Sequence, residues 1–211
     1  RYSKYMDEDV RGFVEAYADI LTNGGPAFGT ILRYLAHLPP PSVAEGLERG
    51  EGRKLGALIH CTAGKDRTGI FFGLLFDFLG VPCEQIANEY QLTELGLVHI
   101  REEVVGRLMT SPGFRKYMLA QTSGMSLSAE DIAKSIRGED VDGVNTEIPP
   151  EILGKGRQAA LRMVGARKES MLRSLEMLDE RFGGAERYMR QVCGLGDGEL
   201  EGLKRNLVVA A

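Results

Sequence analysis

Hydrophobic residues recur three or four positions apart along most of the chain, which is the spacing of one face of an α-helix. The pattern predicts two helices early in the chain, over residues 7–21 and 26–38. Three prolines at 39–41 end the second helix, because proline cannot continue the hydrogen bonding of a helix interior. A further short helix is predicted around residues 43–48, ahead of a glycine-rich turn.

A different pattern follows in the middle of the chain. Residues 54–60 are predicted to be a strand, since their apolar residues run together without helical spacing. Residues 68–79 are apolar on nearly every side, which predicts a helix at the centre of the fold. We therefore expect strand, loop and buried helix in immediate succession.

Helical spacing returns further along the chain, with the usual start and stop signals. Ser128 and Asp131 form a capping pattern for a short helix to residue 136, and residues 138–150 are predicted to be mobile. Gly183 and Gly194 are predicted helix stops, and Asp197 a helix cap. The predicted helices cover residues 84–95, 98–109, 168–182, 185–193 and 199–208.

The loop between the predicted strand and the buried helix, residues 60–69, reads HCTAGKDRTG and is called the Cys61 loop. Backbone N–H groups, the positive end of the following helix and Arg67 all favour a thiolate at Cys61, and such surroundings lower a thiol pKa from about 8.5 to roughly 3.5–7.5. The same groups can hold phosphoryl oxygens while the sulfur attacks phosphorus. The loop therefore predicts a nucleophile inside a phosphate-binding site.

Cysteine, five residues, arginine and then threonine is also the signature of the protein tyrosine phosphatase superfamily, which the chain resembles. The sequence HC-x-x-GKDRTG is similar to the atypical branch of tyrosine/serine and phosphoinositide phosphatases. The likeness runs from about residue 10 to 208 and is weaker between 106 and 160. It continues through Gly80 and Val81, residues 89–94, 166–171 and 182–185, and Tyr188.

The resemblance implies an α/β fold, with a parallel sheet flanked by helices and the Cys61 loop at the edge of that sheet. Since this chain reads as mostly helical, we expect residues 1–211 to form a single phosphatase domain that lacks its N-terminal strands. The implied activity is hydrolysis of phosphotyrosine, phosphoserine/threonine or phosphoinositide through a phosphocysteine intermediate. The alternative is a phospho-ligand-binding pseudophosphatase with little turnover.

Each residue of the Cys61 loop also has an ordinary structural interpretation. Cys61 could be an inert buried thiol, but its place beside a Gly-Lys-Asp-Arg loop disfavours that interpretation. Thr68 starts the helix, and the resemblance implies a second role as a hydroxyl bonded to the sulfur. His60 and Gly69 are predicted to support the loop, and Gly64 to provide a turn. The predicted phosphate-binding residues are Thr62, Ala63, Gly64, Lys65, Asp66 and Arg67.

The general acid is the open question. The chain has no tryptophan, so the Trp-Pro-Asp loop that supplies the acid in most relatives is absent. Asp66 is the carboxyl group guaranteed to lie near the phosphoryl oxygens, and we expect it to protonate the leaving group. Its alternative role is a first-turn carboxylate that complements the helix dipole. Lys65 is either a solvated loop charge or a second cation for a polyanionic substrate.

Other chemistries are disfavoured by spacing and composition. Asp66 after Lys65 does not fit a nucleotide-binding P-loop, which needs serine or threonine there. The three cysteines, Cys61, Cys83 and Cys193, are too scattered for a zinc site or a disulfide framework, and no metal or other cofactor is expected. The net charge of −4 argues against a nucleic-acid partner, and no apolar run is long enough to span a membrane. Free cysteines point to the cytoplasm.

Overall fold

The computed structural model describes residues 2–5, 9–38, 57–123 and 148–208, and the regular elements in those ranges are all α-helices. In chain order they are α1 Tyr2–Tyr5, α2 Arg11–Ala36, α3 Asp66–Phe78, α4 Cys83–Gln91, α5 Thr93–Leu97, α6 Arg101–Thr110, α7 Pro112–Ser123, α8 Pro150–Val164, α9 Lys168–Phe182, α10 Ala185–Gln191 and α11 Asp197–Leu207.

The expected α/β class is wrong for the part of the chain that the structure describes, which contains no strand and no sheet. Residues 57–60 of the predicted strand have irregular backbone, and residues 54–56 lie outside the described ranges. The physical reason is pairing. A strand needs a neighbour for its N–H and C=O groups, and an apolar run looks the same in sequence with or without one.

The described residues form two compact units, each built from two separate stretches of chain. Residues 1–13 and 92–166 belong to the first unit. Its core packs α6, α7 and α8 together through the buried residues Val105, Phe114, Met118, Ile148, Ala159 and Ala160. Gly156 lets α8 approach closely, since an added Cβ would clash with Met118 Sδ. Glu94 accepts hydrogen bonds from Arg101 and from the N–H of Ala166, both at 2.5 Å.

Residues 14–91 and 167–211 belong to the second unit, which contains the Cys61 loop. Helix α3 is central to it, as its all-round apolar sequence predicted, and it packs on α4, α9 and α10. Its buried residues are Ile70, Phe71, Gly73, Leu74, Leu75 and Phe78. Asn206 of α11 caps the end of α2 by donating to the carbonyls of Leu35, Ala36 and Leu38 at 3.2, 2.8 and 2.5 Å.

Helix α2 runs unbroken where the sequence predicted two helices, and Pro26 lies inside it. Glycine and proline near residue 25 predict the end of a helix, but two of the glycines make room for a neighbouring segment. An added Cβ on Gly25 would lie 2.6 Å from the carbonyl oxygen of Val192, and one on Gly29 would lie 2.5 Å from that of Cys193. These glycines therefore let the backbone after α10 approach α2, and they do not end a helix.

The other boundaries vary in how well the pattern predicted them. The prediction for α9 is confirmed to the residue, with Gly183 as its left-handed C-cap at φ 75°. Asp197 is the first residue of α11 and Gly196 is the cap. Helices α7 and α8 were not predicted. The predicted helices around 43–48 and 128–136 lie outside the described residues, and so does most of the segment 138–150. Among the described helices, none has the length and apolar character needed to cross a membrane.

Candidate active site

The Cys61 loop joins an irregular segment to the start of a buried helix. Residues 62–65 bend between Cys61 and Asp66, the first residue of α3. Gly64 has φ 65°, and an added Cβ there would meet nothing within 4 Å, so glycine is favoured by the backbone angle alone. The bend brings Cys61 back to the N-terminus of α3, where the helix dipole favours a negative charge.

The thiol of Cys61 lies where several donors converge. Partial burial alone would raise its pKa, but hydrogen bonds from the Thr68 hydroxyl and from the N–H groups of Thr68, Ala63 and Lys65 outweigh that effect. Together they lower the pKa of Cys61 from 9.0 to about 7. The thiolate of Cys61 is therefore far more populated at neutral pH than that of an ordinary cysteine.

The other two cysteines differ in this respect. Burial raises the pKa of Cys83, and the charges of Asp77 and Asp179 raise it further. Burial raises the pKa of Cys193 to about 11, with Arg33 acting in the opposite direction. Cys61 is thus the cysteine suited to nucleophilic chemistry at neutral pH.

Thr68 lies beside the sulfur, in the first turn of α3. Its Oγ1 is buried and has no well-aligned hydrogen-bond partner among the described residues, although the pKa of Cys61 responds to this hydroxyl. A hydroxyl hydrogen rotates to suit its acceptor, so Thr68 can donate to a thiolate once the charge forms. This hydroxyl therefore stabilises the charged form of the sulfur, in agreement with its effect on the pKa of Cys61.

Arg67 and His60 lie on the exposed side of the loop. Arg67 Nη2 donates to Thr62 Oγ1 at 2.8 Å, which joins the two ends of the loop. A guanidinium has five N–H donors, so this bond leaves others to face a bound anion. His60 Nδ1 lies 3.2 Å from the carbonyl oxygen of its neighbour Cys61.

Asp66 and Lys65 are bonded to each other. Lys65 is only 3% exposed, and its Nζ lies 2.7 Å from Asp66 Oδ1. The same oxygen accepts a hydrogen bond of 3.1 Å from the hydroxyl of Tyr17, which in turn lies 2.6 Å from the hydroxyl of Tyr90. Sequence reasoning did not select either tyrosine as a site residue, because Tyr17 reads as one apolar position among many in its helix.

Gly69 fixes how closely α4 approaches the loop. An added Cβ at this position would lie 2.7 Å from a ring carbon of Tyr90, which leaves no room for a side chain. Gly69, which was predicted to support the loop, therefore lies directly against the ring of Tyr90. Within the described ranges, no group of three or more His, Cys, Asp or Glu side chains is arranged to hold a metal ion.

The Cys61 loop brings together a cysteine of lowered pKa, an arginine and several N–H donors, an arrangement that suits phosphate chemistry. Comparison with known proteins agrees. The model of the tyrosine phosphatase family matches residues 1–209, and the chain belongs to that family. A tyrosine-protein phosphatase of Nostoc commune is similar, with 28% identity over 200 residues that cover 94% of this chain. The chain spans about half of that relative, 53% of its length. No solved structure matches the chain.

Proposed function

We propose that the chain is a cysteine-dependent phosphatase that hydrolyses phosphate monoesters through a phosphocysteine intermediate. The observation that carries the proposal is the convergence of three backbone N–H groups on the Cys61 sulfur, which has a pKa of about 7. Donors that stabilise a thiolate are also placed to bind the oxygens of a phosphoryl group beside it. Membership in the tyrosine phosphatase family supports this function.

In the first step, the Cys61 thiolate attacks phosphorus and the ester P–O bond breaks. The leaving oxygen takes a proton from Asp66, while Arg67 and the loop N–H groups stabilise the charge on the transferring phosphoryl. In the second step, water attacks the phosphocysteine and gives its proton to Asp66. The products are inorganic phosphate and the restored thiolate, with Thr68 supporting the sulfur as leaving group.

The substrate class we propose is a phosphorylated protein or a phosphoinositide. The name of the Nostoc relative favours phosphotyrosine. The remaining loop residues, Thr62, Ala63, Gly64 and Lys65, complete the proposed phosphate-binding set, with His60 and Gly69 in support. Phosphoserine, phosphothreonine and inositol phosphates share the same phosphoryl chemistry, so a panel of substrates is needed to choose among them.

The test offers p-nitrophenyl phosphate and such a panel to the wild type, Cys61→Ser and Cys83→Ser. We expect Cys61→Ser to abolish turnover yet still bind phosphate esters in calorimetry, because an alcohol is a far poorer nucleophile at neutral pH. Cys83→Ser is the matched control and should retain wild-type activity. Binding without turnover by the wild type would favour the non-catalytic alternative, and turnover by Cys61→Ser would overturn the mechanism.

A further inference from the structure

A buried set of hydroxyls reaches Asp66 from two other helices of the same unit. Tyr17, on α2, is 0% exposed and donates its hydroxyl hydrogen to Asp66 Oδ1, 49 positions along the chain. Because a phenol has one hydrogen, the 2.6 Å contact between Tyr17 and Tyr90 is then donated by Tyr90. The direction of the chain is therefore Tyr90 to Tyr17 to Asp66.

Lys65 approaches the same carboxylate oxygen. Its Nζ donates to Oδ1 at 2.7 Å, so Oδ1 accepts from both an ammonium and a phenol. Oδ2 has no hydrogen-bond partner among the described residues. Two donors on one oxygen restrict the rotation of the carboxylate. A proton on Asp66 must then lie on Oδ2, because Oδ1 already faces those two donors.

We propose that Tyr17 is a positioning residue that holds Asp66 with Oδ2 free for the leaving group, and that Tyr90 orients Tyr17. The inference rests on the proposed function, in which Asp66 is the proton donor. A donor must lie within hydrogen-bond reach of the oxygen that it protonates, and a small displacement is costly in rate. Tyr17 supplies that restraint from outside the Cys61 loop.

The environment of the hydroxyls separates this role from ordinary packing. Burying a hydroxyl carries a cost unless it finds a partner, and most partners in a fold are backbone groups. Tyr188 follows that rule, since its hydroxyl donates to the carbonyl of Leu21 at 2.6 Å. The bonds of Tyr17 instead run to two side chains, one of which is the proposed acid.

The ring of Tyr90 is held in place by the helix that carries the loop. Its edge lies against Gly69, where even one added carbon would approach within 2.7 Å. The rings of Tyr17 and Tyr90 also meet edge to face, with centroids 6.4 Å apart. The position of the hydroxyls relative to Asp66 is therefore set by packing among α2, α3 and α4.

The experiment compares an alkyl phosphate, whose leaving group needs a proton, with p-nitrophenyl phosphate, whose leaving group departs with little help. We expect Tyr17→Phe to lower kcat about tenfold or more for the alkyl phosphate and at most about threefold for the other, with KM nearly unchanged. Tyr188→Phe removes a buried hydroxyl of equal size elsewhere. It should lower Tm and leave the ratio of the two rates unchanged.

The double variant tests whether Tyr17 acts through Asp66. In Asp66→Asn, which should itself lose alkyl phosphate activity selectively, Tyr17→Phe is expected to add less than about a twofold loss. The inference would be overturned if the loss in the double variant were the product of the two single losses. It would also be overturned if Tyr17→Phe slowed both substrates equally. If Tyr17→Phe does not fold, Tyr90→Phe takes its place, and the same selective loss is expected at smaller size; equal losses there would also overturn it.

The failures are distinguishable. A wild type without turnover overturns the proposed function and the inference together. If Asp66→Asn slows both substrates equally, Asp66 is not the general acid, and the inference that Tyr17 positions that acid is overturned with it. If Asp66→Asn is selective and Tyr17→Phe is not, the inference about Tyr17 alone is overturned.

Discussion

The reactivity of Cys61 depends on neighbours within one loop and one helical turn. Those neighbours lower its pKa to about 7, and Thr68 contributes through both its hydroxyl and its N–H group. Substitution of Thr68 by valine removes the hydroxyl alone and preserves the shape of the side chain. It therefore isolates one contribution to the charge on the sulfur.

We expect Thr68→Val to raise the pKa of Cys61 from about 7 toward the ordinary value of 9.0. Less thiolate then exists at neutral pH, so alkylation by iodoacetamide should slow there and recover only at higher pH. Mass spectrometry follows the rate at Cys61 as a function of pH. Thr30→Val, at an exposed position of α2, is the control, and an unchanged midpoint in Thr68→Val would contradict the assignment.

At this scale the sequence predicted the components of the loop and not their side-chain partners. The ten residues of the loop are contiguous, so their chemistry could be inferred without the fold. The bond from Tyr17 to Asp66 joins residues 49 positions apart, and no local pattern indicates it. The burial of Lys65 against Asp66 likewise depends on packing around the loop, which the sequence does not specify.

Glycines within helices determine how closely the elements of the second unit approach one another. Gly202 of α11 lies against the end of α2, where an added Cβ would be 2.6 Å from the carbonyl oxygen of Ala36. Gly198 lies in the same helix, and an added Cβ there meets nothing within 4 Å. The two glycines thus form a matched pair, one in contact and one open.

Gly202→Ala should lower the free energy of unfolding by about 1–3 kcal/mol, because a backbone carbonyl cannot move away cheaply. Gly198→Ala should be neutral or stabilising by up to about 1 kcal/mol, since alanine loses less backbone entropy than glycine in a helix. Urea denaturation followed by circular dichroism measures both. Equal stabilities for the two variants would show that the contact with Ala36 is not tight in solution.

Helices whose ends are marked by capping residues in the sequence were predicted well. Helices whose extent depends on packing against other segments were not. Helix α9 combines apolar periodicity, Glu169 in its first turn, Arg181 in its last and a glycine cap, and its bounds are as predicted. Helix α2 was divided in two because glycine and proline usually end helices. Only the structure shows that Gly25 and Gly29 make room for the backbone of Val192 and Cys193.

For the whole molecule, the sequence predicted that a buried helix follows the Cys61 loop, and the structure agrees. The expected sheet is wrong for the residues that the structure describes, since strand pairing is a property of two segments and the pattern describes one at a time. The division into two units was also beyond the sequence. It depends on which distant stretches meet, and helical spacing is the same on both sides of each boundary.

The second unit should not persist without its C-terminal stretch. A chain that ends after residue 166 lacks α9, α10 and α11, and with them Met171, Leu178 and Tyr188 of the core. We expect trypsin to cleave within α2 and α3 of this truncated chain much faster than in the full chain. A chain ending after residue 208 is the control, and equal protection in the truncated form would contradict the expectation.

The discontinuity of the second unit also imposes an order on biosynthesis. The segment with Cys61 leaves the ribosome long before Asn206 is available to cap α2, and closing so long a loop of chain slows folding. Until then α2 and α3 lack the partners that pack on them from the C-terminal stretch. The Cys61 loop is therefore synthesised before α11, and we expect the nascent chain to be more open to aggregation and oxidation until α11 has been translated.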